Sequence, residues 1–259
     1  MKLFNIITIL LICIFMSSGI VVAGTIRDDK FDAAFKSVTK FKGLEDESIE
    51  LKGYEKMPHG NFLVLSNNYE EFWINEDNFE VERYSSYLDY GKKITLSSDE
   101  AYMIAKKYAS KKLLNHSIQN TTEFKLVLNE LNDGGDIYEY EYQWREYIDE
   151  IEGPSLIDIC INPDSGAIMS YIGISRNITI PIEYSISSQD AESLAIQQFG
   201  SINTKKVTHY LKIGYDEMGS QQLFWIVTVY GKPKNNQIEG GIVLINAQSG
   251  EISRVERWL

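Results

Sequence analysis

Cysteine, proline, histidine and positive charge are all scarce in this chain of 259 residues. Two cysteines, five prolines and three histidines argue against a disulfide scaffold, a proline-rich chain and a histidine-rich metal site. The 25 Lys and Arg residues are outnumbered by 37 Asp and Glu, so the formal net charge is −12. Because the phosphate backbone of nucleic acids requires a basic surface, the composition argues against nucleic acid as the main partner.

Aromatic residues are abundant instead, with 16 Tyr, 11 Phe and 4 Trp. Hydrophobic residues make up 44% of the chain, which is enough to fill a core and excludes wholesale disorder. A chain of this length is expected to form one large domain or two to three small ones.

The amino-terminal residues have the pattern of a secretory signal peptide. One positive charge, Lys2, precedes an apolar run, and small residues follow, with Val21 and Ala23 before the expected cleavage site. We therefore expect a signal peptide at residues 1–23 and an extracytoplasmic protein, secreted or associated with the cell envelope. The alternative is an uncleaved leader that anchors the chain, since the apolar run is just long enough to span a bilayer.

The clearest internal signal is a repeat. The stretch Ser97–Ala105 recurs 90 residues later as Ser187–Ala195. Each copy begins with a serine followed three positions later by an acidic residue, which is the pattern of a helix capping box. Each copy then places alanines on one helical stripe. The repeat predicts two equivalent helices that pack closely on another element through their alanines.

A second shared motif follows each helix. Leu156–Ile168 aligns with Gly240–Ile252, 84 residues later, and both contain Asn-x-x-Ser-Gly between apolar runs. Because glycine readily adopts the positive φ of a tight turn, the motif predicts a β-hairpin. Asn162 and Asn246 are interpreted as turn formers that bond their own backbone, not as catalytic groups.

A row of aromatic residues lies between the first helix and its hairpin. Tyr138, Tyr140, Tyr142 and Trp144 alternate with polar residues, so all four rings share one face of a predicted strand. Such a face most often packs beneath a helix. The alternative is a ligand platform, and the candidate binding surface for it consists of Trp73, Tyr142, Trp144 and Trp225.

Beyond the leader, the chain is predicted to form three units. A degenerate unit spans residues 24–90, and two further units span 91–180 and 181–259. In the first, Asp28–Lys40 supplies the helix, and Ile74–Val81 is a loose copy of the hairpin motif, with Asn78 and Phe79 in place of Ser and Gly. The predicted fold class is α+β, with tandem units that each pack one helix on an antiparallel β-sheet.

These motifs, in their order, spacing and duplication, resemble the PepSY family. The resemblance covers residues 92–175 and 185–257, where both the helix motif and the hairpin motif are present. It implies an α+β module with a helix laid across a curved antiparallel sheet. PepSY modules occur in propeptides of thermolysin-type metalloproteases and in many exported proteins, and a regulatory role toward extracytoplasmic peptidases has been proposed for them. The family has no agreed catalytic residues.

No catalytic or cofactor motif stands out in the sequence. The histidines His59, His116 and His209 are far apart, and none belongs to a His-Glu-x-x-His motif. There is no Gly-x-Ser-x-Gly elbow and no glycine-rich phosphate loop. We therefore expect a protein that is not an enzyme and that holds no cofactor and no metal.

Several carboxylates are expected near one end of the predicted sheet, namely Asp133, Asp136, Asp149, Glu150 and Glu152. Their spacing matches no calcium-binding loop, and most charge clusters are solvated. They are interpreted as an acidic rim exposed to solvent.

Together these features indicate an exported, non-catalytic PepSY-like binding or regulatory protein. We expect its partner to be another protein, such as an extracytoplasmic peptidase, and a strand edge could take up an extended peptide of that partner. Two alternatives stay open: a cell-envelope binder of small molecules or glycans that uses an aromatic cleft between units, and a structural spacer.

Overall fold

The computed structural model describes residues 29–43, 48–87, 91–113, 123–133, 138–200, 203–232 and 239–258. These residues fall into two compact units, one within residues 29–87 and the other within residues 91–258. The predicted signal peptide, His116 and Asp136 lie outside the described residues. No helix within the described ranges is long and apolar enough to cross a membrane.

The first unit contains one helix followed by four strands. Helix α1 spans Asp29–Lys42, and strands β1 to β4 span Glu50–Met57, Gly60–Ser66, Glu70–Asn75 and Val81–Ser86. Consecutive strands pair antiparallel. The helix buries Ala34 and Val38 in a core that includes Leu63, Phe72 and Ile74. Its small buried residues let the helix lie close to the sheet.

The second unit contains two helices and eight strands. Helices α2 and α3 span Ser98–Leu113 and Ser188–Gln198. Strands β5 to β8 span Glu123–Asp133, Tyr138–Ile148, Ile151–Ile161 and Ile168–Ile174. Strands β9 to β12 span Thr204–Tyr215, Gln221–Gly231, Gly240–Asn246 and Ile252–Trp258. Each group of four strands is an antiparallel meander, with α2 on β5 to β7 and α3 on β9 to β11.

The two meanders of the second unit are not separate sheets. Strand β7 pairs in parallel with β9 at Glu152 and Lys212, and this pairing joins all eight strands into one mixed sheet. The predicted fold class, α+β with tandem units that each carry their own antiparallel sheet, is therefore wrong. The described part of the chain is mostly β, with twelve strands and three helices. Hairpin motifs indicate pairing between neighbouring strands, but they carry no signal for a parallel pairing of strands far apart in the chain.

Both predicted serine caps are present, and the first is a complete capping box. The backbone N–H of Glu100 donates to Ser97 Oγ at 3.3 Å, and the backbone N–H of Ser97 donates back to Glu100 Oε2 at 2.9 Å. At the second helix the backbone N–H of Asp190 donates to Ser187 Oγ at 3.1 Å, and the Ser187 hydroxyl donates to Asp190 Oδ2 at 2.6 Å. The predicted alanine stripes are fully buried in both helices, at Ala101, Ala105, Ala191 and Ala195. Each helix therefore starts where the repeat predicts and packs through the alanines that the repeat shares.

One hairpin turn recurs three times in the described structure. In each copy an asparagine Oδ1 accepts the backbone N–H two residues later, from Asp77 to Asn75, from Asp164 to Asn162 and from Gln248 to Asn246. The residue four positions after the asparagine has a positive φ, and these residues are Phe79, Gly166 and Gly250. The prediction that Asn162 and Asn246 form turns is confirmed, and Phe79 takes the position of the glycines.

Candidate functional site: the edge strand β5 and its acidic face

The aromatic row of β6 packs beneath α2. Tyr142 is fully buried, and its hydroxyl donates to the backbone carbonyl of Ser98 at 2.9 Å. Tyr102 of α2 contacts the rings of Tyr142 and Trp144, with centroids 5.8 Å and 6.4 Å apart. Trp144 is 8% exposed. These two candidate binding residues therefore hold the start of α2 against the sheet.

The remaining two candidate residues lie elsewhere. Trp225 on β10 is buried and donates its indole N–H to the carbonyl of Ile186, just before α3, at 2.8 Å. Trp73 belongs to the first unit, where its indole N–H donates to Glu71 at 2.7 Å and the guanidinium of Arg83 lies 5.0 Å from its ring centroid. Tyr142 and Trp225 thus pack beneath different helices. A ligand-binding role for the four rings stays a prediction.

Glu152 is not part of a solvated rim. Its side chain is 9% exposed, and Oε1 accepts from Lys212 Nζ at 2.6 Å and lies 3.3 Å from Arg145 Nη1. Asp149 and Glu150, at the turn before it, are exposed as predicted. Burial lowers the pKa of the Lys212 ammonium, and the carboxylate of Glu152 opposes that effect. The cluster fixes the junction between β7 and β9.

Strand β5 is a long edge strand with apolar side chains in solvent. Among the described strands it pairs only with β6. Leu126, Val127 and Leu131 are 37%, 45% and 38% exposed. The pairing register shifts between Leu126 and Leu128, which marks an irregularity in the ladder at Val127. No strand in the described ranges lies along the outer side of β5, and the backbone N–H and C=O groups of such an edge can accept another strand.

Two other outer strands, β1 and β12, are shorter than β5 and expose no large aliphatic side chain. Strand β1 exposes Lys52 and Lys56, and β12 exposes Ser253 and Arg257. Charged residues, and lysine above all, are the usual protection of an exposed sheet edge against unwanted pairing. Because β5 is longer than either strand and exposes three aliphatic side chains, it is the best candidate for strand addition.

The face of β5 to β7 that points away from α2 carries carboxylates. Glu130 on β5 lies directly opposite Glu141 on β6, and Glu139 lies on the same face two residues before Glu141. Asp158 on β7 lies opposite Gln143, whose amide donates to it at 2.6 Å. Glu141 and Asp158 are 7% and 5% exposed. The acidic face is defined as Glu130, Glu139, Glu141 and Asp158.

Burial and the neighbouring carboxylates change the proton affinity of Glu141 on the acidic face. Burial raises the pKa of Glu141 to about 7, and the charges of Asp158, Glu139 and Glu130 add to this effect. Asn132 opposes it by donating its side-chain N–H to Glu141 at 3.0 Å. Like charges facing each other across a strand pair repel, so a cation brought to this face would be stabilised.

The acidic face has the chemistry of a binding surface. Within the described residues, no three or more His, Cys, Asp or Glu side chains form a group that could hold a metal ion. Strand β5 combines a backbone edge that no other described strand covers with exposed aliphatic side chains and nearby carboxylates. Sequence reasoning missed this site because Leu126–Leu128 reads as an ordinary apolar strand, and nothing in that pattern shows that the strand lies at an edge.

The comparison with solved structures finds a structural likeness. No protein-family model matches the chain. No curated protein is detectably similar to it in sequence. Among solved structures, the chain is similar to the C-terminal domain of YpeB from Bacillus megaterium, with 16% sequence identity and a TM-score of 0.44. The match covers 93% of this chain and all of that domain.

Proposed function

We propose that this chain is a non-catalytic, PepSY-like protein-binding module that takes up an extended segment of a partner along β5. The observation that carries the proposal is the edge of β5, which pairs with β6 alone among the strands that the structure describes and exposes Leu126, Val127 and Leu131 to solvent. In strand addition, the main-chain hydrogen bonds supply affinity, and the alternating side chains supply specificity. The exposed aliphatic side chains provide the apolar contacts that such a segment would bury.

The sequence supports a proposal for where this binding takes place and for the class of partner. The signal-peptide pattern supports export, and the duplicated motifs resemble a family for which regulation of extracytoplasmic peptidases has been proposed. We therefore propose that the partner is an extracytoplasmic protein, with a peptidase as the first candidate. A strand added to β5 would hold a segment of that peptidase in an extended conformation.

Selection from a displayed library of random peptides tests whether β5 takes up extended segments. We expect the protein to enrich peptides that bind with micromolar or better affinity. The double variant Leu126→Lys with Val127→Lys should weaken their binding at least tenfold, because charged side chains guard sheet edges. Tyr54→Lys changes a residue of β1 that is 45% exposed and serves as the matched control, with unchanged binding expected. Failure to enrich any peptide, or equal loss in both variants, would refute uptake along β5.

The peptidase partner requires a separate experiment. The protein is mixed with purified extracytoplasmic peptidases of its own host, and complex formation and residual proteolytic activity are measured. We expect at least one peptidase to form a complex that the double variant of β5 does not form. If no peptidase in the set binds and none is inhibited, the peptidase version is wrong, whereas peptide uptake is judged by the selection alone.

A further inference from the structure

We infer that the segment taken up along β5 is a basic one, in which Lys or Arg alternates with apolar residues. This inference rests on the proposed function and specifies the partner of the same edge. It follows from the different chemistry on the two faces of β5 and from the distribution of charge in the strands beside it.

The two faces of β5 would contact alternate residues of an added strand. Leu126 lies opposite Trp144, and Leu131 lies opposite Tyr140, so both leucines share the face on which the aromatic row packs beneath α2. Glu130 lies opposite Glu141 on the other face. Side chains alternate along the regular stretch of β5 that follows the register shift between Leu126 and Leu128. Along that stretch, the added residue that meets Leu131 and the added residue that meets Glu130 would therefore lie on opposite faces, the first on the apolar face and the second on the acidic face.

The strands around β5 contain many more acidic residues than basic ones. Strands β5, β6 and β7 contain eight acidic residues and two basic ones, Lys125 and Arg145. Lys125 lies opposite Arg145, four register positions from the Glu130 pair, and it contacts Glu123 at 3.6 Å. Arg145 is engaged by Glu152 and by Gln143. The two basic residues thus lie together on the same face of the sheet as the acidic face, several positions along the strands from Glu130 and Glu141.

A cation on the added strand can act on the acidic face. Neighbouring strands are about 4.8 Å apart, so the new residue opposite Glu130 would lie about 10 Å from the backbone of Glu141. The long side chains of Lys and Arg extend over part of that distance, and their charge acts over the remainder through a partly buried environment. Complementary charge would therefore favour a basic segment and would set its register at Glu130.

Protonation gives an independent readout of this arrangement. The pKa of Glu141 is raised to about 7 by burial and by the neighbouring carboxylates. A cation nearby favours the ionised carboxyl and lowers this pKa, so binding of a basic segment at pH 7 should release protons. A neutral segment brings no such charge and should release few or none.

The experiment is calorimetric titration of the protein with three octapeptides that alternate Lys-Val, Gln-Val or Glu-Val. We expect the Lys-Val peptide to bind at least tenfold more tightly than the Gln-Val peptide at 50 mM salt. The advantage should shrink severalfold at 0.5 M salt, because salt screens charge interactions. Titration at pH 7 in two buffers of different ionisation enthalpy should show proton release for the Lys-Val peptide.

Two variants test whether the carboxylate of Glu130 causes the preference for a basic peptide. Glu130→Gln should reduce the preference for Lys-Val over Gln-Val about threefold or more. Glu55→Gln removes the same charge from β1 and should leave the preference intact. If both variants reduce it equally, or if Gln-Val or Glu-Val binds as well as Lys-Val, the inference of a basic segment is overturned while uptake along β5 stands. If none of the peptides binds, uptake along β5 is itself contradicted.

Discussion

The ammonium of Lys212 donates to the carboxylate of Glu152 at 2.6 Å, at the position where β7 and β9 pair in parallel. Arg145 of β6 lies on the same carboxylate oxygen, 3.3 Å away. One carboxylate therefore balances two cations contributed by two different meanders. Because the pairing of β7 with β9 joins these meanders into one sheet, the cluster lies at the junction on which the architecture of the second unit depends.

Removing Glu152 should destabilise the protein. Glu152→Ala leaves Lys212 and Arg145 at the junction without a counter-charge, and we expect the free energy of unfolding to fall by about 2–4 kcal/mol. Urea denaturation measures this change. The matched control is Glu123→Ala, which removes the exposed partner of Lys125 and should change stability by no more than about 0.5 kcal/mol. Equal costs for the two variants would show that the cluster does not stabilise the junction.

Tyr142→Phe should weaken the attachment of α2 to the sheet and lower the stability of the protein. The change removes the hydroxyl that donates to the carbonyl of Ser98 but keeps the buried ring. We expect a loss of about 1 kcal/mol in the free energy of unfolding, which is the usual net contribution of one intramolecular hydrogen bond. The same change at the exposed Tyr54 should have little effect in the same thermal or urea denaturation experiment. Unchanged stability of Tyr142→Phe would argue against a packing role for this hydroxyl.

The glycines of the two recurrent turns should resist substitution. Gly166 and Gly250 have φ values of 75° and 76°, and an added Cβ would lie 3.0 Å from Ile104 and 3.2 Å from Ile186. We expect Gly166→Ala and Gly250→Ala each to cost about 1–2 kcal/mol in urea denaturation. Gly53→Ala in β1 is the control, because its Cβ would meet no atom within 4 Å. Tolerance at all three positions would contradict a conformational requirement at the turns.

Local features of this fold were predictable from the sequence. The Asn-x-x-Ser-Gly motif locates the hairpin turns, and its loose copy correctly places Phe79 at the position of positive φ. Ser97 and Ser187 begin their helices as the capping pattern predicts. Each of these features depends on residues within a few positions of one another, so their pattern is visible in the linear sequence.

Long-range features were not predictable in the same way. Glu152 belongs to an acidic stretch that resembles a solvated turn, and it is buried because Lys212, 60 residues later, lies beside it. The edge position of β5 is likewise set by which strands fail to pair with it. Neither relationship leaves a local pattern, because pairing between distant strands depends on the whole topology.

Stability should depend on pH through Glu141. Its pKa in the folded protein is about 7, above the ordinary value of 4.5, because burial and nearby carboxylates disfavour the charged form. Between these values the folded protein binds more protons than the unfolded chain. The free energy of unfolding contributed by this group therefore falls as the pH rises from about 4.5 to 7, and it stays reduced at higher pH.

Glu141→Gln removes this dependence, because the amide cannot ionise while its oxygen can still accept the bond from Asn132. We expect the variant to exceed the wild type by about 1–2 kcal/mol in free energy of unfolding at pH 8, with no clear difference near pH 4. Urea denaturation at pH 4, 6 and 8 measures this trend. Glu150→Gln, which neutralises an exposed carboxylate, should show no comparable gain at pH 8. A difference between Glu141→Gln and the wild type that is constant across this range would contradict a carboxyl held protonated by its burial.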